Sequence, residues 1–252
     1  MLIGAGNVAT QLGIALRNEG YFISQVYSRT KKAAETLSKK LKAQSLSDFG
    51  KLDQNAAIYI IAVKDDAIES IAKQLKLKDQ IVVHTSGTVP MDILKKTSKN
   101  YGVLYPLQTF SKSKKTELRS TPFCIEGNSK TTTTSLLYFA KSISGNVQKI
   151  TSEQRKVLHL AAVFACNFSN HMYAVADSIL KKNKLSLDLL KPLIDETAAK
   201  IKNATPLEMQ TGPAVRGDKK TMEAHLKMLA KEKEVKDMYA LISKNIIKSA
   251  KK

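Results

Sequence analysis

The chain has 252 residues, of which 43% are hydrophobic and 25% charged, and its formal net charge is +19. That length is more than one ordinary core holds and predicts an α/β domain with a smaller partner. No run approaches the ~20 apolar residues of a membrane span, which excludes an integral membrane protein built from helices. A basic surface could attract phosphates, yet only five of the 41 basic residues are arginine (Arg17, Arg29, Arg119, Arg155 and Arg216) and tryptophan is absent. Nucleic-acid readers favour the bidentate arginine fork, so a solvated lysine-rich surface with no nucleic-acid and no membrane partner is expected.

The start, Met1-Leu2-Ile3-Gly4, lacks the basic region and apolar run of a secretory signal. Two cysteines, Cys124 and Cys166, are too few for a disulfide framework. Both point to a cytoplasmic protein. The shortness of Leu2-Ile3 as a strand leaves two readings, a start that lies upstream or a strand that is short.

In chain order, short apolar runs read as strands at Leu2-Ile3, Ile23 to Tyr27, Ala57 to Val63, Ile81 to His84, Val103 to Tyr105 and Phe123 to Ile125, with an edge strand at Asn146 to Ile150. Helical spacing falls between them at Asn7 to Asn18, Thr30 to Leu41 and Asp65 to Leu75, with Asp65 or Asp66 as a cap, and a further helix opens in Asn128 to Ser135 and runs to Ser142. Alternation of this kind predicts βαβ crossovers and a parallel sheet. From Ser152 to Leu180 there is neither Pro nor Gly, and apolar residues ring the helix, which predicts burial on most sides. Helices follow at Ser186 to Lys202, broken or bent near Pro192, at Lys219 to Leu229 and at Glu232 to Ile247, with a loop over Asn203 to Asp218 and a frayed lysine-rich end. The fold class is therefore α/β: a Rossmann-type parallel-sheet domain over 1–150 that binds a dinucleotide, then an all-α domain over 151–252 for substrate and dimerisation.

Gly4-Ala5-Gly6-Asn7-Val8-Ala9 matches the dinucleotide fingerprint. Its glycines allow a tight turn and close approach of backbone N–H groups to a pyrophosphate at a helix N-terminus, and Gly13 extends the close packing. At the end of the second strand, where NAD sites carry a carboxylate, the chain reads Ser28-Arg29-Thr30, which suits a 2′-phosphate and favours NADP(H). The cofactor-binding candidates are Gly4, Ala5, Gly6, Asn7, Val8, Ser28, Arg29, Thr30, Val63 and Ser86. His84 ends a strand aimed at the same crevice and is a candidate general acid. Gln108 and Thr109, after the next strand, are candidates for the substrate pocket. On the long helix, His159, Cys166 and Asn170 share one stripe at 3.6-residue spacing, with Asn167 at its edge and His171 pointing away. That stripe is expected to face an interdomain cleft, which makes His159, Asn167 and Asn170 catalytic candidates. No metal site is expected.

The glycine fingerprint, His84-Thr85-Ser86-Gly87, the helix bearing His159 and Asn167, and Thr211-Gly212-Pro213-Ala214-Val215-Arg216-Gly217-Asp218 together resemble an uncharacterised bacterial family. That family pairs a Rossmann-like domain with a C-terminal helical domain of unknown function. It is similar to the superfamily of 6-phosphogluconate dehydrogenase, pyrroline-carboxylate reductase and deazaflavin:NADP oxidoreductase. The resemblance covers essentially the whole chain and implies an NADP(H)-dependent oxidoreductase acting on a small C=O or C=N substrate bound between the domains, in a homodimer. It implies an amide role for Asn167 or Asn170, with His159 where relatives carry a lysine, and Arg216 as a clamp on a substrate carboxylate or phosphate. The alternative is a non-catalytic NADP(H)-binding or sensor protein.

Overall fold

The computed structural model describes residues 1–111 and 116–250, and the lysine-rich end at 251–252 lies outside them. The strands are β1 (Leu2–Ile3), β2 (Gln25–Tyr27), β3 (Gln44–Leu46), β4 (Ile58–Ile61), β5 (Ile81–His84), β6 (Asn100–Pro106), β7 (Phe123–Gly127) and β8 (Val147–Lys149). They form one sheet in the order β3-β2-β1-β4-β5-β6-β7-β8. The order reverses around β1, which opens the crevice where Rossmann folds take their ligands. β1 pairs with β2 and β4 through only two residues on each side, so the central strand is short.

The helices α1 (Asn7–Asn18), α2 (Lys31–Leu41) and α4 (Lys130–Ile143) cover one face, and α3 (Asp65–Gln74) covers the other. Alternation along the strands makes this possible: Leu2, Ile60 and Val83 pack with the first group, whereas Ile3, Ile61 and Val82 pack with the second. A strand buried on both sides is apolar at successive positions, as β4 (Ile-Tyr-Ile-Ile) is.

Several expectations need correction. The sheet is not wholly parallel, because β7 runs antiparallel to β6. Among the described residues between them there is no helix to carry a crossover, and a parallel return needs one. β3 was not anticipated, since Gln-Ser-Leu carries little apolar signal. Asp65 and Asp66 occupy the first turn of α3, but neither is its cap, a position held by Lys64. Another concerns the helix expected to be buried. It is divided into α5 (Ser152–Ala162), a π-helical turn at Val163–Phe168 and α6 (Ser169–Lys182). Much of its apolar surface is open, with Val157 69% and Phe164 63% exposed. An all-round apolar sequence predicts cover, and within one chain that cover is incomplete.

The chain divides into two compact units, Met1–Asn167 and Phe168–Lys252. The expected boundary lay near residue 150. Residues 152–167 go with the sheet because Leu158 packs beside Val103, Tyr105 and Cys124, and because Arg155 anchors α5. The second unit is helical: after α6 come α7 (Lys191–Lys200), α8 (Pro213–Arg216), α9 (Lys219–Met228) and α10 (Lys233–Ala250). Pro192 lies in the first turn of α7, where its missing N–H costs nothing. The stretch read as a loop before Asp218 contains the single turn α8, flanked by Gly212 at φ +112° and Gly217 at φ +69°. No helix among the described residues is long and apolar enough to cross a membrane.

Candidate active site

The carboxyl ends of β1, β2 and β4 open into a cleft of about 640 Å³ lined by Gly4 to Val8, Ser28 to Thr30 and Ala62 to Lys64. Gly4 sits at φ +125°, and a Cβ there would lie 2.1 Å from the Ala62 carbonyl oxygen. Only glycine lets the turn pass so close to β4. At Gly6 the same construction meets nothing within 4 Å, so the missing side chain leaves open space at the head of α1. Gly13 serves packing, since a Cβ there would meet Leu2 and Leu41 at 2.8 and 2.6 Å. Ala9, at the last fingerprint position, is fully buried.

Electrostatics separate the three helix N-termini bordering the cleft. Neither α1 nor α2 has an acidic residue in its first turn or a side-chain cap, and α2 opens with Lys31-Lys32. α3 begins with Asp65-Asp66. An anion is therefore favoured at the first two and opposed at the third. Arg29 and Thr30 are exposed at the rim, and Ser28 Oγ accepts from the Thr30 N–H at 3.3 Å. Gly6 with the α1 amides can hold a pyrophosphate, and Ser28, Arg29 and Thr30 can hold a 2′-phosphate. Asn7 is partly committed elsewhere, donating from Nδ2 to the Phe110 carbonyl at 2.8 Å. Lys64, in the strand end Ala62 to Asp66 that the sequence aims at the crevice, also lines the cleft.

The His84-Thr85-Ser86-Gly87 stretch follows β5, and each member has a distinct environment. His84 has no exposed surface; its Nδ1 accepts from the Ser86 N–H at 3.2 Å, and its Nε2 makes no hydrogen bond. Burial, helped by the Arg155 charge, lowers its pKa to about 4, although the Pro90 carbonyl and Asp65 act in the other direction. The ring is thus neutral near pH 7, enclosed, and holds its proton on Nε2. Ser86 Oγ accepts from the N–H groups of Thr88 and Val89 at 3.1 and 3.0 Å, so it shapes the turn. Thr88 Oγ1 donates to Asp65 at 2.5 Å, tying that turn to α3.

Gly87 makes room for a residue 72 positions further on: a Cβ there would lie 2.5 Å from His159 Nδ1 and 2.9 Å from Tyr105 Cζ. His159 Nδ1 and the Tyr105 hydroxyl are 3.0 Å apart, with the rings edge-on at 6.1 Å and 63°. Burial pushes the Tyr105 hydroxyl up to about 12, the Cys124 thiol adding to the effect. His159 itself is half-buried. Its placement depends on α5, which begins with a capping box formed by Thr151 and Gln154. The fully buried Arg155 then reaches Glu126 on β7 at 2.5 Å and the Val89 carbonyl at 2.5 Å. Ser152 completes the network, donating from Oγ to Glu126 at 2.7 Å. Tyr105, Arg155 and Glu126 were not identified from sequence.

The 3.6-residue stripe does not survive the π-helical turn at Val163–Phe168. One extra residue per such turn moves the register by about 100°. Two turns on from His159, this brings Asn167 into the phase that the regular period assigns to Cys166. Both are exposed, as is Asn170 on α6 in the second unit. Gln108 and Thr109 are exposed, and Gln108 Oε1 accepts from the Thr109 N–H at 2.8 Å. Arg216 is exposed on α8, while Asp218 caps α9 by accepting from the Thr221 N–H at 3.1 Å. Val63 lines the cleft beside Gly4. No group of three metal-ligating side chains occurs among the described residues.

Residues 1–87 match the family described as NADP oxidoreductase coenzyme F420-dependent, and residues 121–246 match the Domain of unknown function (DUF2520). A Bacteroides fragilis protein provisionally assigned as an NADP oxidoreductase is 43% identical, with 98% of this chain and 96% of that one covered, at a TM-score of 0.92. A Thermotoga maritima protein is 25% identical over 99% of this chain and 97% of that one, at a TM-score of 0.74. An imine reductase from Myxococcus stipitatus, in complex with NADP+, shares the fold at 15% identity over 98% of this chain and 93% of that one, with a TM-score of 0.66. No curated protein sequence matches the chain.

Proposed function

From the premise that the chain belongs to the NADP-dependent oxidoreductase family that carries the Domain of unknown function (DUF2520), we propose that it reduces a small carbonyl or imine substrate with NADPH, or runs the reverse reaction. The carrying observation is the cleft at the sheet's carboxyl edge, where Gly4 is forced against Ala62, the space at Gly6 is open, and no carboxylate stands at Ser28-Arg29-Thr30. NADP(H) would supply or accept the hydride. Gly6 and the α1 amides would bind the pyrophosphate, and Ser28, Arg29 and Thr30 the 2′-phosphate; Val63 in the cleft, and Ser86 in the turn after β5, are assigned to the ribose and nicotinamide side. An NADP+ complex of a fold relative supports the choice of cofactor.

For the chemistry we assign His159 to the substrate's reacting group, with Asn167 beside it in helical phase. His84 is assigned to holding the β5 turn, since a fully buried neutral ring does not reach a ligand. Asn170, Gln108 and Thr109 remain candidates for polar contacts with substrate. Arg216 suits a carboxylate or phosphate on the substrate, because an exposed guanidinium binds such anions bidentately. The part from 151 to 252 is assigned to substrate binding and dimerisation, and the exposed Val157, Leu160 and Phe164 give a second copy an apolar surface to cover.

The test is oxidation of C4-deuterated NADPH in the presence of small aldehydes, 2-oxo acids and cyclic imines. Substrate-dependent oxidation with deuterium recovered in the product supports the proposal. Nucleotide binding without any such transfer overturns its catalytic part. Sedimentation equilibrium tests the dimer, and a monomer at micromolar concentration would overturn it.

A further inference from the structure

We propose that Tyr105 is a positioning residue that fixes His159 in the tautomer bearing its proton on Nε2, so that the ring offers the substrate a hydrogen-bond donor. The relevance to catalysis rests on the reading of His159 given above, but the tautomer is a property of the protein alone. Tyr105 is 9% exposed, and its hydroxyl lies 3.0 Å from Nδ1. Among the described residues that hydroxyl makes no other hydrogen bond. If Nδ1 carried the proton, the Tyr105 hydrogen would have no acceptor among the described residues, and a donor left unmade on a part-buried contact carries a desolvation cost. With the proton on Nε2, the Tyr105 O–H donates to the bare Nδ1 and both atoms of that contact are satisfied.

Gly87 is the second part of the device. A side chain there would strike His159 Nδ1 at 2.5 Å, His159 Cγ at 2.8 Å and Tyr105 Cζ at 2.9 Å. Gly87 has no positive φ to demand glycine; the slot shared by the two rings demands it. Burial pushes the Tyr105 hydroxyl up to about 12, so it stays protonated and has a hydrogen to donate to Nδ1.

The chemical consequence is selective. A donor at Nε2 matches a group with a lone pair, such as a carbonyl oxygen, and opposes an iminium cation, which has none. Bound NADPH would supply the hydride for the new C–H bond, and the carbonyl π pair would then move onto oxygen beside the Nε2–H. The hydrogen bond donated by Nε2–H strengthens on that developing charge. The alkoxide then takes its proton from water, and the imidazole keeps its own.

The experiment is long-range 1H–15N correlation of the histidine side chains in the full chain above neutral pH, with His159 assigned by its loss in His159→Gln. The expected result is a bare Nδ1 and a protonated Nε2 in the unmodified protein. In Tyr105→Phe, and independently in Gly87→Ala, both nitrogen shifts should move toward each other as the second tautomer becomes populated. NADPH affinity should change by less than about twofold in Tyr105→Phe. A protonated Nδ1 in the unmodified protein overturns the proposal, as do nitrogen shifts that stay fixed in Tyr105→Phe. Failure of NADPH to bind would overturn the proposed function and leave the tautomer result standing.

Discussion

Gly4 and Gly6 lie two residues apart in one turn, yet the structure assigns them opposite sensitivities. In Gly4→Ala the new methyl meets the Ala62 carbonyl oxygen at 2.1 Å on a backbone held at φ +125°. Backbone strain of about 1–3 kcal/mol and overpacking of about 1–3 kcal/mol together cost roughly 4 kcal/mol, which lowers Tm by about 8–16 °C for a protein of this size. Gly6 has φ −80° and no neighbour within 4 Å of a Cβ, so alanine fits the free protein. There the reduced freedom of the unfolded chain adds about 0.4–1 kcal/mol of stability. The same methyl intrudes where a pyrophosphate would lie, and overpacking of about 1–3 kcal/mol weakens NADPH by roughly 5- to 150-fold. Thermal unfolding and NADPH titration of both variants separate the two effects. A Gly6→Ala protein that binds NADPH as tightly as the parent would refute the assignment of that space to the cofactor.

Arg29→Ala should weaken NADPH by about 10- to 150-fold, the loss of a hydrogen bond between charged groups, and leave NADH unchanged; an equal effect on both nucleotides in a fluorescence titration would contradict the 2′-phosphate role. Removing Arg155 leaves Glu126 without its cation and the Val89 carbonyl without its donor beneath α5, and breaking a buried pair costs about 3–5 kcal/mol, readable in urea unfolding of Arg155→Ala. His84 titrates near 4 when folded and near ~6.5 when unfolded. The unfolded chain binds the extra proton, so this contribution is complete above ~6.5 and is lost as pH falls toward 4; it amounts to roughly 3 kcal/mol. His84→Gln should flatten the stability profile over that window, and an unchanged slope would show that another group governs it.

Much of this architecture was legible in the sequence, because adjacent apolar residues such as Ile60 and Ile61 belong to a strand covered on both faces. The glycine turn was legible for a similar reason: its backbone demands are local. Strand direction at β7 was not, since it depends on what joins residues 106 and 123 and not on the strands themselves. β3, at the sheet edge, needs little apolar content. The Tyr105–His159 contact spans 54 residues and leaves no periodic trace. Gly87 was its one signal, a glycine whose reason lies in space and not in the local chain. The π-helical turn is hidden for another reason, because a regular period assumes that no residue is inserted, and that assumption moved Asn167 and Cys166 to the wrong relative positions.

Calorimetric titration of the purified chain with NADPH and with NADH, side by side, tests the central claim most directly. The account predicts one site per chain that binds NADPH and discriminates against NADH through Arg29. Equal affinity for the two nucleotides would contradict the 2′-phosphate site, and no heat with either at millimolar concentration would contradict the dinucleotide cleft itself.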